Sequence, residues 1–411
     1  MFKTIERTRL RTIGDLGDLR GKRVIVRVDF NVPIAGGRVV EDSRIRLTLP
    51  TIEALLATGA TPILISHLKE GKSRETLAPV GEHLQQLLGK RRVQFIRERV
   101  GTPSLRRAID GLRRGDVVLL ENIRRYPGEA ANDRSFARQL ATLADAYVND
   151  AFGVDHRAHA SLALVPTLLP SAAGLLVERE MTVLSRLLKD PAPPFVALIG
   201  GAKISTKMAV IERLLSVADA VLLGGALVNN FYAARGYGIG ASLVEASGIA
   251  AAKQLARNPK RRNLTMPLDV VVGDPAAKRP SPRVVTIGAK PHVICEQPSA
   301  ILDIGPATIR AYSQQLKSAA TIVWNGPMGK FEQQPFHYGS VILARLIAMR
   351  SSGKAFGVVG GGETLAILAE TKMARYIDHV SSGGGAMLAF LAGEPLPGLV
   401  PLLHDRVALH H

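Results

Sequence analysis

The chain has 411 residues, 46% of them hydrophobic and 5% aromatic, with 53 Lys and Arg against 35 Asp and Glu, giving a formal net charge of +18. That length and apolar content furnish cores for two domains, while the one cysteine, Cys295, excludes an intrachain disulfide framework and reads as an inert core thiol in a reducing compartment. The N-terminal MFKTIERTRLRTI lacks a continuous apolar stretch and no later segment has the length of a membrane span, so a cytoplasmic location is expected.

In chain order, KRVIVRVDF, ATPILISHL, DVVLLEN and AYVNDAF are strand candidates in the first half, and FVALIGG, AVLLGG, DVVVGD, TIVWNG and AFGVVGGG in the second. Helix-length amphipathic segments separate them. Short runs rich in Val, Ile and Leu are expected to be buried on both faces of parallel sheets, with the helices as crossovers, which makes the fold class α/β. Polar residues or glycines end these runs repeatedly, at the carboxyl edge where open parallel sheets bind ligands. Between Pro170 and Pro194, GLLVEREMTVLSRLLKD has apolar residues at helical spacing and then meets PAPP, a stiff stop; it is expected to be an interdomain helix. The densest basic clusters (Lys90 to Arg92, Arg113 with Arg114, Lys260 to Arg262) lie near Gly or Pro without interleaved aromatics. Solvated basic faces are expected there, and a nucleic-acid platform is not.

In the first half the strand ends carry Asp29 and Asn31, Arg44 in DSRIR, His67, Arg124 and Arg157. Guanidinium forks grip phosphate or carboxylate while Asp and Asn orient hydroxyls, so the set suits a small, multiply anionic ligand. Singly, each also has a plain structural use: Asp29 and Asn31 in a turn before Pro33, Arg44 on a helix surface, His67 as a hydrogen-bonded core histidine.

In the second half, LIGGAKISTK places Gly200 and Gly201 after a strand, with Lys203 and Lys207 four apart on the expected helix, hence on one face toward an anion or simply toward solvent. TIVWNGPMGKFE adds Asn325 and Glu332, and VVGGGET adds Glu363, either a carboxylate for a divalent cation beside phosphates or a helix-start acid. Two glycine triplets, Gly360 to Gly362 and Gly383 to Gly385, each run from a strand-like segment into an apolar helix. Such turns let backbone N–H groups converge on an anion at the positive end of a helix.

From about residue 8 to residue 400 the chain resembles phosphoglycerate kinases, through RVDFNVP, ENIR, NDAFG with HRAHAS, GGAK, DIGP, TIVWNGPMG with FE, VVGGGET and HVSSGGGA. The resemblance implies two Rossmann-like domains, each a mostly parallel sheet flanked by helices. Residues 1–172 would bind 3-phosphoglycerate or 1,3-bisphosphoglycerate, 173–194 form the interdomain helix and hinge, 195–392 bind magnesium–ADP or magnesium–ATP, and 393–411 return to the N-terminal domain. It implies a monomeric, hinge-bending phosphotransferase of glycolysis and gluconeogenesis or carbon fixation, with small-molecule substrates and Mg²⁺ brought by the nucleotide.

By the same resemblance, Asp29, Phe30 and Asn31 orient the glycerate, His67, Arg124 and Arg157 bind its non-transferred phosphate, and Arg44 faces the transferring group. Gly201, Lys203 and Lys207 meet the nucleotide phosphates, Asn325 and Glu332 lie along the nucleotide, and Gly361, Gly362, Glu363 and Thr364 serve the metal–phosphate end. Gly384, between Gly383 and Gly385, offers backbone donors to the phosphoryl in flight. Arg44, Lys207 and Gly384 are thus the catalytic candidates, and Glu363 the metal candidate.

Four departures from the family pattern stand out. His67 is followed by Leu68, Lys69, Glu70 and Gly71 where the family has His-Leu-Gly-Arg-Pro; Lys69 or Lys72 would stand in for the arginine without its planar fork. Thr206 replaces an aspartate before Lys207, Glu363 replaces an aspartate, and GGALVNNF replaces a loop containing methionine and phenylalanine. Two expectations follow: a kinase with altered kinetics, or a non-catalytic or weakly active paralogue that binds nucleotide or an anionic partner. A dehydrogenase is not expected, because no G-x-G-x-x-G follows the first strand.

Overall fold

The computed structural model describes residues 9–68 and 75–404. Expectations for residues 1–8, for Lys69, Glu70, Gly71 and Lys72, and for 405–411 lie outside the described residues. The chain divides into two compact units, one running to Val183 and taking in the stretch from Pro395, the other spanning residues 184–394. The division falls within the helix Leu175–Lys189.

The first unit holds β1 (Arg23–Val28), a small hairpin of β2 (Ile34–Ala35) and β3 (Arg38–Val39), then β4 (Thr61–Ile65), β5 (Val93–Ile96), β6 (Val117–Leu120), β7 (Ala146–Asp150) and β8 (Ser171–Ala173). Six of these form one sheet, in the order β5-β6-β4-β1-β7-β8, with every pair parallel. Every residue of β4, β6 and β7 is buried, because helices cover both faces of the sheet. The helix Ser43–Ala57 supplies one cover, turning Ile45, Ile52, Leu55 and Leu56 inward at helical spacing. The chain returns to this unit at its C-terminal end: Leu10 bridges Leu403, Arg11 N–H donates to Leu402 O (2.9 Å), and Gly398 N–H donates to Asp155 O (3.0 Å).

The second unit contains β9 (Phe195–Ile199), β10 (Ala220–Leu223), β11 (Gly238–Ile239), β12 (Leu264–Thr265), β13 (Asp269–Gly273), β14 (Arg283–Thr286), β15 (Val293–Cys295), β16 (Ala300–Ile304), β17 (Thr321–Asn325), β18 (Phe356–Gly360) and β19 (His379–Val380). Its main sheet runs β12-β10-β9-β17-β18-β19, all parallel. The direction of winding reverses between β9 and β17, which opens a crevice at their carboxyl ends.

Two expectations need correction. DVVVGD is a strand, yet it lies in an antiparallel sheet, β14-β13-β16, outside the parallel one. The 274–282 connector that follows it is shorter than the dozen or so residues a parallel crossover takes, so the next strand folds back. Lys203 and Lys207 do not share a helix face, because the helix starts only at Met208. Residues 201–207 form a turn in which Lys207 N–H donates to Ile204 O (2.9 Å), while Ser205 N–H is held by Glu245 (2.9 Å). That turn sends Lys207 inward and leaves Lys203 exposed.

Asp155 is fully buried beside the returning chain, accepting from Asn149 Nδ2 (2.7 Å) through one oxygen and from none of the described residues through the other. Burial, against that hydrogen bond, raises its carboxyl from 3.8 to about 7. Folding therefore takes up a proton: the contribution to stability is full below the unfolded value and is lost as pH rises through about 7. Asp155→Asn is expected to flatten the fall in Tm between about pH 4 and about pH 7. Calorimetric scans across that range check it, and an unchanged slope would show that the proton goes elsewhere.

Candidate active site

At the carboxyl edge of the first sheet, β1 delivers Asp29, Phe30 and Asn31, β4 delivers His67, and the turns after β6 and β7 deliver Arg124 and Arg157. Asp29 holds the helix-borne Arg44 in place, its Oδ2 accepting from Nη1 at 2.9 Å, and the same Nη1 donates to Asn31 O at 3.3 Å. Asp29 Oδ1 accepts from Asn31 N–H (3.3 Å) and lies 3.8 Å from His67 Nδ1. Phe30 takes a supporting part: its ring is wholly in the core and its N–H donates to Ser66 Oγ (2.9 Å).

His67 is the electrostatic gauge of this edge. Burial pushes its imidazole well below the usual value, and Arg27, Arg124, Arg157 and Arg44 all push the same way. The ring is therefore neutral, at the centre of four guanidiniums. Arg27 Nη2 lies 3.3 Å from His67 Nδ1 and a guanidinium only donates, so Nδ1 accepts and the ring proton sits on Nε2, a neutral donor. Arg124 Nη2 makes the same kind of contact with His159 Nδ1 (3.3 Å). The edge is a cationic cup whose charge greatly exceeds that of Asp29, suited to a compact polyanion.

The second unit gathers a different set at its winding reversal. Lys207 is buried, and its ammonium donates to Gly200 O (2.7 Å) after β9 and to Asn325 Oδ1 (2.7 Å) at the end of β17. Burial lowers its pKa from 10.5 to about 8, with Glu363 opposing the shift. Asn325 Nδ2 donates to Gly360 O (2.9 Å) and Thr364 Oγ1 accepts from Gly326 N–H (2.7 Å), which ties β17 to the start of the helix Gly362–Thr371. Gly361 caps that helix at a φ of +104°, and a Cβ on Gly384, the first residue of the helix Gly384–Ala392, would sit 2.6 Å from Gly361 Cα. Both glycine triplets thus bring helix N-termini together, as two glycines without side chains allow. A Cβ on Gly201 would lie 3.1 Å from Lys207 Nζ and 3.9 Å from Glu363 Oε2, so lysine and glutamate flank one backbone approach.

Beside this cradle lies a cavity of about 470 Å³. Its walls are small or aliphatic, including Gly201, Ala202, Gly225, Ala226, Val228, Leu243 and Ile301, while Asp303, Lys330, Glu332 and Glu363 supply the charged lining. An apolar slot with a few polar groups fits a flat heterocycle carrying hydroxyls and phosphates. GGALVNNF therefore contributes to the cavity through its small residues. Lys203 stands apart, exposed and near Glu245, and Thr206 Oγ1 donates to Lys203 O (3.1 Å) within the turn.

Among the described residues no three His, Cys, Asp or Glu side chains gather to hold a metal. One exposed carboxylate beside an anion cradle nevertheless fits Mg²⁺ carried on phosphates, since that ion usually takes one or two carboxylates and fills its other positions with phosphate oxygens and water. Sequence reasoning missed Arg27, fully buried, with Nε donating to Ser161 Oγ (3.0 Å) and Nη1 donating to Val28 O. The signal was there: a charge in the middle of RVIVRV has to be compensated if the strand is buried. Part of the cavity wall lies in motifs already quoted, GGAK, GGALVNNF and TIVWNGPMG, whereas Ala241, Leu243, Ala300 and Ile301, ordinary small and apolar residues from distant segments, left no such signal.

A sequence model of the family described as phosphoglycerate kinase matches residues 13–394. The chain is similar to the phosphoglycerate kinase of Moorella thermoacetica, 46% identical over 397 residues, covering 95% of this chain and 98% of the relative. It is likewise similar to that of Desulforudis audaxviator, 48% identical over 403 residues, covering 96% and 99%. Among solved structures, the phosphoglycerate kinase from Coxiella burnetii superposes with a TM-score of 0.81 at 35% identity, covering 96% of this chain and 99% of that one. The enzyme from Pyrococcus horikoshii does so at 0.82 and 30% identity, covering 96% and 98%. Among the described residues, no helix is long and apolar enough to cross a membrane.

Proposed function

The chain belongs to the phosphoglycerate kinase family and moves a phosphoryl group reversibly between 1,3-bisphosphoglycerate with ADP and 3-phosphoglycerate with ATP; we propose how its residues do so. The observation that carries the proposal is the buried Lys207, held by Gly200 O and Asn325 Oδ1 at the winding reversal, beside two convergent glycine turns and an apolar cavity.

The cavity takes the adenine, Asn325 and Glu332 lie along the nucleotide, and Glu332 meets the ribose. Gly201 and Lys207 receive the phosphates, with Lys203 at their exposed edge. In the first unit, Asp29 and Asn31 orient the glycerate, while His67, as a neutral Nε2–H donor, joins Arg124 and Arg157 on the phosphate that stays. Arg44, aimed by Asp29, faces the phosphoryl that moves.

In the direction of ATP use, a carboxylate oxygen of 3-phosphoglycerate attacks the γ-phosphorus and the bond to the bridging oxygen of ADP breaks. The attacking group is already ionised, so no general base is needed. What the protein supplies is alignment and positive charge around the equatorial oxygens, from Arg44, Lys207 and the backbone N–H groups at Gly384, Gly361 and Gly362. Bound Mg²⁺ would be met by Glu363, with Thr364 beside it, and would neutralise charge on the nucleotide phosphates. In the same proposal the enzyme is a cytoplasmic monomer, and residues 1–172 close on 195–392 about 173–194, which excludes water that would otherwise hydrolyse the acyl phosphate.

ATP consumption in the presence of 3-phosphoglycerate and Mg²⁺, followed through a coupled NADH-oxidising assay, tests the reading. Turnover is expected; folded protein that binds nucleotide without turnover would instead fit the non-catalytic paralogue. A pH prediction sharpens it. Lys207 is charged below its lowered pKa of about 8, so kcat/KM for nucleotide is expected to fall as pH rises through that value. Glu363 holds the pKa up, so Glu363→Gln should move this alkaline limb to lower pH. A limb that stays where it is in the variant would assign it to another group.

A further inference from the structure

Asp303 has no task in the transfer just described. It lies near the end of β16, 4% exposed, on the wall of the 470 Å³ cavity. Its Oδ2 accepts from Gly339 N–H (2.8 Å), in the first turn of the helix Tyr338–Ser351, and its Oδ1 accepts from Ile304 N–H (2.9 Å). A Cβ on either Gly329 or Gly339 would collide with Oδ1. The carboxylate therefore fills the slot between the two ends of the loop that joins β17 to this helix. Two further bonds fasten the same ends: Lys330 N–H to Leu302 O (2.7 Å) and Met328 N–H to Ser340 Oγ (2.9 Å). This loop is what carries Glu332 to the cavity wall. Burial raises the Asp303 carboxyl to about 7, opposed only by the two backbone N–H groups. Holding an acid there without a cation is costly, and a filler of the same size would pack the slot at less expense.

We propose that Asp303 is a positioning residue for the nucleotide, its carboxylate anchoring the helix end of the 326–337 loop through Gly339 N–H and bracing the other end by packing at Gly329, so that Glu332 is presented in register to the ribose. The inference rests on the cavity being the nucleotide site. The carboxylate accepts from Gly339 N–H and from Ile304 N–H of its own strand, so an amide at this position sets an N–H against one of these donors and loosens the brace while keeping the volume.

The test is titration calorimetry, at a pH of about 8 where the Asp303 carboxyl is ionised, of Mg–ADP and, separately, of 3-phosphoglycerate, with wild type, Asp303→Asn, Glu332→Gln and the double variant. Asp303→Asn is expected to weaken Mg–ADP about tenfold and leave the 3-phosphoglycerate affinity as it was. The double variant should bind Mg–ADP no more weakly than Glu332→Gln alone, because the clamp acts through that side chain. Gly329→Ala, which pushes on the carboxylate from the other side, should reproduce the loss if Asp303→Asn does not fold. If Glu332→Gln weakens Mg–ADP while Asp303→Asn does not, or if the two losses simply add, the clamp is overturned. If Glu332→Gln leaves Mg–ADP binding unchanged, the cavity reading falls and the clamp with it.

Discussion

Lys207→Ala is expected to lower kcat by about 100- to 1,000-fold, the range seen when a preorganised charge donor is removed from a dry site. Three observations set that size. The ammonium is buried, so its field is little screened. It is held by Gly200 O and Asn325 Oδ1, both at the winding reversal, and so does not need to be ordered during the reaction. Its pKa of about 8 leaves it charged at neutral pH. The KM for nucleotide should change less than kcat, because charge on the equatorial oxygens is greatest in transit. Folding should survive, since burial already penalises the charged form, although two acceptors are orphaned at about 1 kcal/mol or more each. Lys207→Met keeps the apolar stem and isolates the charge. Steady-state kinetics and thermal melting of both variants check the expectation, and wild-type kcat in Lys207→Met would remove the residue from the transfer step.

Gly384→Ala is the second large effect. The added methyl would sit 2.6 Å from Gly361 Cα, and neither partner is a flexible side-chain tip, so one helix start must move away from the other. Those two starts supply the backbone donors proposed for the phosphoryl in flight, and a displacement near 1 Å in such a site costs about 100-fold in rate. The fall should appear in kcat in both directions of the reaction, since both share one transition state. Nucleotide held in the apolar cavity should still bind. Measured kcat within about threefold of wild type would mean that the Gly384 N–H is not aimed at the oxygens of the phosphoryl in flight.

The sequence alone determined the α/β class, nearly all the long strands and most of the groups at their carboxyl ends. Val, Ile and Leu runs such as FVALI and TIVWN bury both faces in only one kind of sheet, and local chemistry at the strand ends survives whatever packs around it. It also contained a clue to Arg27 that went unread, the lone charge in RVIVRV. Tertiary structure alone decided the rest. It turned Lys207 inward and Lys203 outward, because a turn held by Glu245 displaced the helix start to Met208. It folded DVVVG into an antiparallel sheet, because the next connector is too short to cross over. It brought Leu243 and Ile301, residues without local signature, onto one cavity wall with GGALVNNF and TIVWNGPMG. It also made His67 neutral and Asp303 a clamp. Local pattern encodes which face of an element is buried; protonation, cavity walls and the aim of a charge depend on which distant segments share that burial, and only packing settles that.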